Sequence, residues 1–587
     1  MIMTVAILIM PVLFVAAWLL AIAAPGTWYA RATPFVEDRM LIAAGSVGLA
    51  LWFVVWLLGK AAPSASTPRI ITLVSLTAFA GAFVVAAIAW RRVGVARERR
   101  AFWWVAIPAL LLLAASYLTA TGLGILWSGS GTIVEIQSQR YLAMPGDNLI
   151  PNFFAAGLRN ANIPVPLMGD WYSADRPPLQ TGLLLLFSKA LEKTIRLSIY
   201  NGDGYIAMVC QSFFSIAVFR FARTIARSRA VGAVAAAAAI LIPATGVYVF
   251  YPWPKLLAAA FLLTAFSLTL DLLRSGRQPN QHVVTIGILW GVCVSLALLS
   301  HGGSLFGVIP LAVIFFVACL RRCETARTSL RVLSATAIAA IATYLPWTIY
   351  GKVTGEDHGR LIKWHFAGNM TPSTTSSADV LREAYARLTF DEWLSIKRAN
   401  FEALYREPGS PSTARQLLDR FQDTSSWRVL EFHVVLFTAC MFVLWIPPLI
   451  ALLLTPRRRL LQPLLGPSAL TLAWLAAMLV VWCLLLFSPG STLPHQGPTI
   501  AIFLPTIVFA MVVTTLSYRF GLVMLAVQFV LFAYMMIPPN SIRFDSLSRE
   551  FHPSPVAIAL AVVGVACGVA ALIITRWSDS APRVRNT

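Results

Sequence analysis

Charge is what this sequence has least of: Asp, Glu, Lys and Arg make up 12% of its 587 residues, where a soluble domain carries about 25%. Too few charged groups remain to coat a water-facing surface, which excludes an ordinary globular protein. Carboxylates are scarcer still, 25 against 46 Lys and Arg. They are nearly absent from the middles of the apolar runs; Asp271 lies toward the end of one run and Asp203 at the start of another. An ion-coupled transporter places ionisable groups near mid-membrane, so this distribution argues against one. Cysteine is sparse as well. Cys210, Cys293, Cys319, Cys323, Cys440, Cys483 and Cys567 lie in or beside apolar runs, giving neither a disulfide framework nor a metal-ligand spacing. The short alternating segments of an outer-membrane barrel are missing too. No basic stretch precedes the first apolar run, residues 4–24, so a retained helix is expected there rather than a cleaved signal peptide.

What the sequence has in abundance is apolar length. Hydrophobic residues are 58% of the chain, and runs of roughly 18 to 25 recur, each able to cross about 30 Å of hydrocarbon as a helix. The expected fold class is an all-α polytopic membrane protein of about fifteen transmembrane helices. Spans are expected near 4–24, 41–59, 70–90, 102–126, 203–219, 231–250, 255–273, 283–300, 304–320, 330–350, 431–454, 464–487, 498–517, 521–537 and 555–575. The formal charge of +21 does not point to nucleic acid, because the excess Lys and Arg sit in short loops between spans. These are residues 91–100, 220–229, 274–277, 321–331 and 457–459, and the tail with Arg576, Arg583 and Arg585. By the positive-inside rule they are cytoplasmic, and alternation places every one of them there.

The same alternation puts two long segments outside, 127–202 and 351–430, which hold most of the carboxylates. In the first, Leu183 to Phe187 is followed by Lys189, Glu192, Lys193 and Arg196, which is expected to form an interfacial helix rather than a span. The second is expected to fold as a cap, with residues 351–377 loop-like and 379–405 helical, since that stretch has no Gly or Pro and its apolar residues recur at helical spacing. The chain then divides into a three-helix addition over 1–101, a seven-helix module over 102–350 that includes the outer loop 127–202, the cap over 351–430, and C-terminal membrane helices with a cytoplasmic tail over 431–587.

Chemistry is expected at the outer interface. Met144-Pro145-Gly146-Asp147-Asn148 is rich in turn formers and holds a carboxylate at the membrane edge. Asp147 is the candidate general base, and its bland alternative is a helix-capping Asp. Downstream, Asp170-Trp171-Tyr172-Ser173-Ala174-Asp175-Arg176-Pro177-Pro178-Leu179-Gln180 joins charge and aromatic faces to a rigid double proline. Arg176 offers a planar fork to a phosphate, while Asp175, Tyr172 and Trp171 suit a sugar; the alternative is a surface ion pair between the neighbours Asp175 and Arg176. Tyr251-Pro252-Trp253-Pro254-Lys255 makes a short outer turn whose lysine suits a lipid phosphate or merely snorkels. His301-Gly302-Gly303 and His495-Gln496-Gly497 fall on outer turns where glycine permits close approach to a ligand.

A carboxylate in the long outer loop, Asp147, and Pro177-Pro178-Leu179 entering the next membrane segment together resemble the GT-C superfamily of polyprenyl-phosphate-dependent glycosyltransferases. In particular they resemble the bacterial branch related to protein mannosyltransferases and aminoarabinose transferases. The seven spans over 102–350, with a long outer loop after the first and another after the last, are similar to that family's shared module. The resemblance implies an enzyme of a bacterial cytoplasmic membrane, with its active site on the extracytoplasmic face. It would move a sugar from a polyprenyl-phosphate donor to a glycan, lipid or protein acceptor. Asp147 would deprotonate the acceptor hydroxyl. Arg176, Lys255 and a basic residue of the second loop, Arg360 or Lys363, would stabilise the departing phosphate, with His301 and His495 beside the substrate. Asn148 stands where a second acidic residue is often found, so no bridged metal and no cofactor is expected. The rival readings are a multi-span transporter or lipid flippase, a polymerase or ligase acting on a pyrophosphate-linked glycan, and a noncatalytic assembly subunit.

Overall fold

The computed structural model describes residues 2–27, 30, 32–61, 64–92, 96–125, 133–140, 146–274, 280–323, 325–357, 359–404, 441–487, 496–536 and 554–580. In chain order its helices are α1 (Ile2–Ile22), α2 (Val36–Ala61), α3 (Thr67–Arg92), α4 (Ala96–Ile125), α5 (Ile133–Arg140), α6 (Ile150–Arg159), α7 (Leu179–Ile195), α8 (Ile199–Ala226), α9 (Arg229–Ile240), α10 (Pro243–Phe250) and α11 (Lys255–Arg274). They continue with α12 (Asn280–Ser300), α13 (Leu305–Arg322), α14 (Ala326–Thr354), α15 (Arg360–Ala367), α16 (Ser377–Ala386), α17 (Phe390–Glu402), α18 (Ile446–Leu453), α19 (Gln462–Leu485), α20 (Ile500–Leu516), α21 (Tyr518–Met536) and α22 (Pro555–Ser580). No strand occurs among the described residues beyond one isolated bridge between Met168 and Trp171.

Among the described residues, 11 helices are long and apolar enough to cross a membrane, or 12 if the bent pair α9–α10 is one span. This is an all-α chain built to cross a membrane many times. The 11 coincide with expected spans, and the four remaining runs differ for separate reasons. Helix α20 has 17 residues and is shorter than the 11, and α21 is apolar over its described stretch Tyr518–Ala533. The run at 431–454 lies largely outside the described residues. The run at 231–250 is bent by 70°, because Pro243 lacks an N–H and clashes with a continuing helix, so α9 stops before it. A break inside an apolar bundle frees carbonyls that lipid cannot satisfy. Here Thr245 donates to the Ala239 carbonyl at 2.6 Å, and Gln528 Nε2 donates to those of Ala238 at 2.8 Å and Leu241 at 3.3 Å. Gln528 Oε1 in turn accepts from Trp445 Nε1 at 2.9 Å.

Helix α8 is the central post, packed by α11, α9, α7 and α4. Helix α7, expected at an interface, is instead enclosed by protein: Leu183 to Phe187 are all buried, and the helix packs on α2, α8 and α3. Glycine permits this, since a Cβ on Gly182 would sit 2.1 Å from the Gly48 carbonyl oxygen of α2. Apolar side chains such as Ile338, Ile341, Val562 and Ile573 point outward, as lipid-facing positions require.

Residues 351–377 are not all loop. Gly355, at φ +70°, ends α14 in the left-handed conformation that glycine adopts freely, and α15 follows. The single helix expected over 379–405 is two, because Thr389 caps a new start through a box with Glu392; Tyr405 and the rest of the cap to 430 lie outside the described residues.

At the end of the bundle bearing the basic loops, Arg220 of α8 is wholly buried. Its Nε donates to Asp38 Oδ1 of α2 at 3.1 Å, and its Nη2 to Asp38 Oδ2 at 3.2 Å and Asp271 Oδ2 of α11 at 2.5 Å; its Nη1 meets Thr224. Arg223 pairs with Glu37 at 2.8 Å. Arg220 was expected in a cytoplasmic loop, but α8 continues through it to Ala226. Arg220→Ala leaves Asp38 buried without its main partner and is expected to cost about 3–5 kcal/mol. A thiol-reactive dye that reports the buried cysteines as they become accessible on heating should show a markedly lowered midpoint, and an unchanged midpoint would deny this cluster its stabilising role.

Candidate functional site

At the opposite end, the turn Gly146–Leu149 precedes α6, whose N-cap is Leu149 with no side-chain capping bond. Asp147 therefore does not cap this helix. It is 3% exposed, and its Oδ2 is ion-paired with Arg176 Nη2. Its Oδ1 and the Arg176 Nε are both buried without a hydrogen-bond partner. Neutralised polar atoms left unsatisfied in a buried place are uncommon, and each invites a reason. The Asn152 Oδ1, one turn into α6, is a third such atom.

Arg176 and Asp175 do not pair with each other as neighbours. Asp175 turns the other way, accepting from the Tyr172 backbone N–H at 2.8 Å and from Arg360 Nη1 at 3.0 Å. Arg360 also binds Asp170, through its carboxylate at 2.5 Å and its carbonyl at 2.7 Å, and the Met370 carbonyl at 3.1 Å. Lys363 is held by both Asp357 oxygens at 2.9 and 3.0 Å and by the Ser373 carbonyl at 2.7 Å. The two cap cations expected at a donor phosphate are thus engaged as fasteners in this structure. Trp171 lies between the guanidinium groups, 5.0 Å from that of Arg176 and 5.3 Å from that of Arg360, close enough for cation–π attraction. Tyr172 contributes its backbone N–H.

The double proline does set up the next helix: Pro178 is its N-cap, and the Gly182 N–H donates to the Pro178 carbonyl at 2.9 Å. Behind it runs a polar relay. Gln180 donates to the Pro252 carbonyl at 3.2 Å, Gln211 donates to Gln180 at 2.8 Å, and Gln211 accepts from the Leu257 N–H at 3.1 Å. This ties the Pro-Pro segment to the turn carrying Lys255. Lys255 is buried, with its Nζ 3.4 Å from the Trp253 ring centre and 5.4 Å from that of Tyr248. Trp253 meets His301 edge-on at 6.4 Å and Tyr251 at 6.2 Å. His301 Nδ1 accepts from the Gly303 N–H at 3.1 Å, so it caps the turn Gly302–Ser304. His495 lies outside the described residues.

Glu356 was not among the expected residues. Its carboxylate accepts from Ser173 Oγ at 2.9 and 2.7 Å and from the Ala174 N–H at 2.8 Å, and Ser173 also meets the Tyr350 hydroxyl. The loop before α7 and the segment after α14 are therefore clasped twice, by Arg360 and by Glu356. A Gly-Glu-Asp turn closing a span was the available signal in the sequence. Among the described residues, no three His, Cys, Asp or Glu side chains gather as a metal site would need.

No protein-family model matches the chain, and neither a curated protein nor a solved structure matches it. Its function is therefore argued from these side chains.

Burial raises the Asp175 carboxyl to about 6, against the opposing pull of the Tyr172 N–H and Arg360. A folded-state pKa above the unfolded value of about 4 means that stability falls as pH rises between the two. Asp175→Asn keeps the neutral shape and removes that slope. Its melting temperature relative to wild type is expected to climb from pH 4 to pH 7, and a constant difference across that range would contradict the burial of this carboxylate.

Proposed function

We propose that the protein is an integral membrane glycosyltransferase of GT-C type, transferring a sugar from a polyprenyl-phosphate donor to a hydroxyl-bearing glycan, lipid or protein acceptor at the outer face of a bacterial cytoplasmic membrane. The observation that carries the reading is the buried Asp147–Arg176 pair, a carboxylate and a guanidinium at the membrane edge with unsatisfied atoms on both. A donor of this kind leaves its chain in the bilayer and presents an anionic phosphate and an anomeric carbon at that depth.

In the resting arrangement Arg176 holds Asp147 in an ion pair. Arrival of the donor phosphate gives Arg176 a stronger bidentate partner and releases Asp147. The acceptor oxygen then attacks the anomeric carbon while its proton passes to Asp147. The bond from that carbon to the phosphate oxygen breaks, and its electron pair leaves with polyprenyl phosphate. Arg176 and Lys255 stabilise the departing phosphate. Arg360 and Lys363 serve by holding the cap closed, which keeps water from the donor.

Purified protein in lipid nanodiscs, supplied with polyprenyl-phosphate sugars, is expected to consume donor. Asp147→Asn should lower the rate by about 10²- to 10⁴-fold, with Arg176→Ala similarly impaired. Wild-type turnover by Asp147→Asn would remove Asp147 from the mechanism, and an intact donor moved across the bilayer would favour a flippase. The sidedness has its own check. Asn162→Cys should react with a membrane-impermeant maleimide from outside the cell and Arg327→Cys should not, and the opposite pattern would turn the site to the cytoplasm.

A further inference from the structure

Helix α17 has one face docked, one charged and one apolar but uncovered. On the docked face Lys397 donates to the Leu486 carbonyl at 2.7 Å, and Asn400 Nδ2 donates to those of Cys483 at 3.0 Å and Leu486 at 2.7 Å. These carbonyls belong to the end of α19. Arg398 and Glu402, paired at 3.0 Å, form the charged face with Asp391. Between the two run Phe390, Leu394 and Phe401, which are 72%, 50% and 57% exposed. At roughly 100° per residue these three fall within about 40° of one another, so they make a single apolar strip about three turns long. Nothing in the site described above uses it.

Side chains of this size gain by leaving water, and their place in the fold says what receives them. Helix α19 is long and apolar enough to cross a membrane and ends at Leu485, so Trp482 and Cys483 lie in the last turn of a span. Ala403 and Leu404, directly after α17, pack into the cluster of Phe306, Trp482, Cys483 and Leu486. The C-terminal part of α17 therefore stands level with the end of that span. Leu484 and Leu485 of the same turn are exposed by 48% and 37%, as lipid-facing positions are. The strip sits at a depth where the protein surface is already apolar.

We infer that α17 is an interfacial helix that rests the strip Phe390, Leu394 and Phe401 in the boundary between lipid headgroups and acyl chains, at the end of the bundle away from the basic loops. Helices of this kind bury an apolar face about 5–10 Å into that boundary. The attachment is apolar rather than electrostatic, because α17 carries Lys397 and Arg398 against Asp391, Glu392 and Glu402 and has no excess of cations for anionic lipid. A second copy of the chain fits less well, since three side chains offer far less than the roughly 800 Å² per partner of a standard interface. The contact gives the cap a fixed height. Phe366 of α15 packs on Phe306 at 5.9 Å between ring centres, and Arg360 at the start of α15 holds Asp170 and Asp175. A lipid-seated α17 thus sets the level of the loop that carries Arg176, whatever reaction occurs there.

The test places 4-trifluoromethylphenylalanine singly in place of Phe390, Leu394, Phe401 or Arg398 of the full chain in phosphatidylcholine nanodiscs, and reads the fluorine NMR line width. All four positions are exposed, so the fold accommodates the probe. Two broadening reagents are compared, a phosphatidylcholine with a nitroxide near the top of its acyl chain and a water-soluble gadolinium chelate. The lipid is expected to broaden the signals at 390, 394 and 401 more than the chelate does, and the order should reverse at 398. Discs with added phosphatidylglycerol should give the same pattern. Stronger broadening by the chelate at all four positions overturns the proposal, since the strip then faces water. Protection of 390, 394 and 401 from both reagents overturns it as well, because protein then covers the strip, and so does a lipid effect confined to the anionic discs.

Discussion

A charge inside a membrane protein needs a partner, an opposite charge above all and otherwise a carbonyl or an aromatic face, and the arrangement of this protein follows from that constraint. Its buried ions are gathered at the two ends of the bundle, each across several helices. At one end Arg220 joins α8 to α2 and α11 through Asp38 and Asp271. At the other Arg176 holds Asp147, and Arg159 holds Asp203 at 2.5 Å. The helices between need only apolar packing, small residues at close crossings and internally satisfied backbone. Where the backbone breaks, at Pro243, side chains from α10 and α21 supply the missing donors.

Both charged ends hold buried atoms without a hydrogen-bond partner, Glu37 Oε1 and Arg223 Nε at the first of them. Every guanidinium nitrogen of Arg220 is engaged, as expected of a group whose task is to hold helices together. At the other end the Arg176 Nε, the Asp147 Oδ1 and the Asp175 Oδ1 are buried and unsatisfied as well. Such atoms cost free energy in the absence of a partner, and an incoming phosphate or hydroxyl is chemically suited to supply one. The loop before α7 and the segment after α14 are fastened to each other by Arg360 and Glu356.

Much of the fold was legible because a transmembrane helix announces itself locally, by the length of an apolar run and the sign of its flanking loops. Pro177 and Pro178 likewise declared a helix start, and Thr389 with Glu392 form a capping box that divides the one long helix expected over 379–405. The candidate site was legible only in part. Asp147, Arg176 and Lys255 stood out by residue type and by their place at span ends. Who pairs with whom did not, since sequence adjacency suggested Asp175 for Arg176 while the fold brings Asp147.

By itself, then, the sequence determined an all-α membrane chain with repeated crossings, its basic loops and its polar segments between spans, because hydropathy and charge act on each stretch independently. Tertiary structure alone decided that α7 is enclosed between helices, that Arg220 sits inside an ion cluster and that Glu356 reaches Ser173. Those outcomes depend on contacts between residues far apart in the chain, and an ion pair or a glycine crossing exists only once both partners have been brought to the same place.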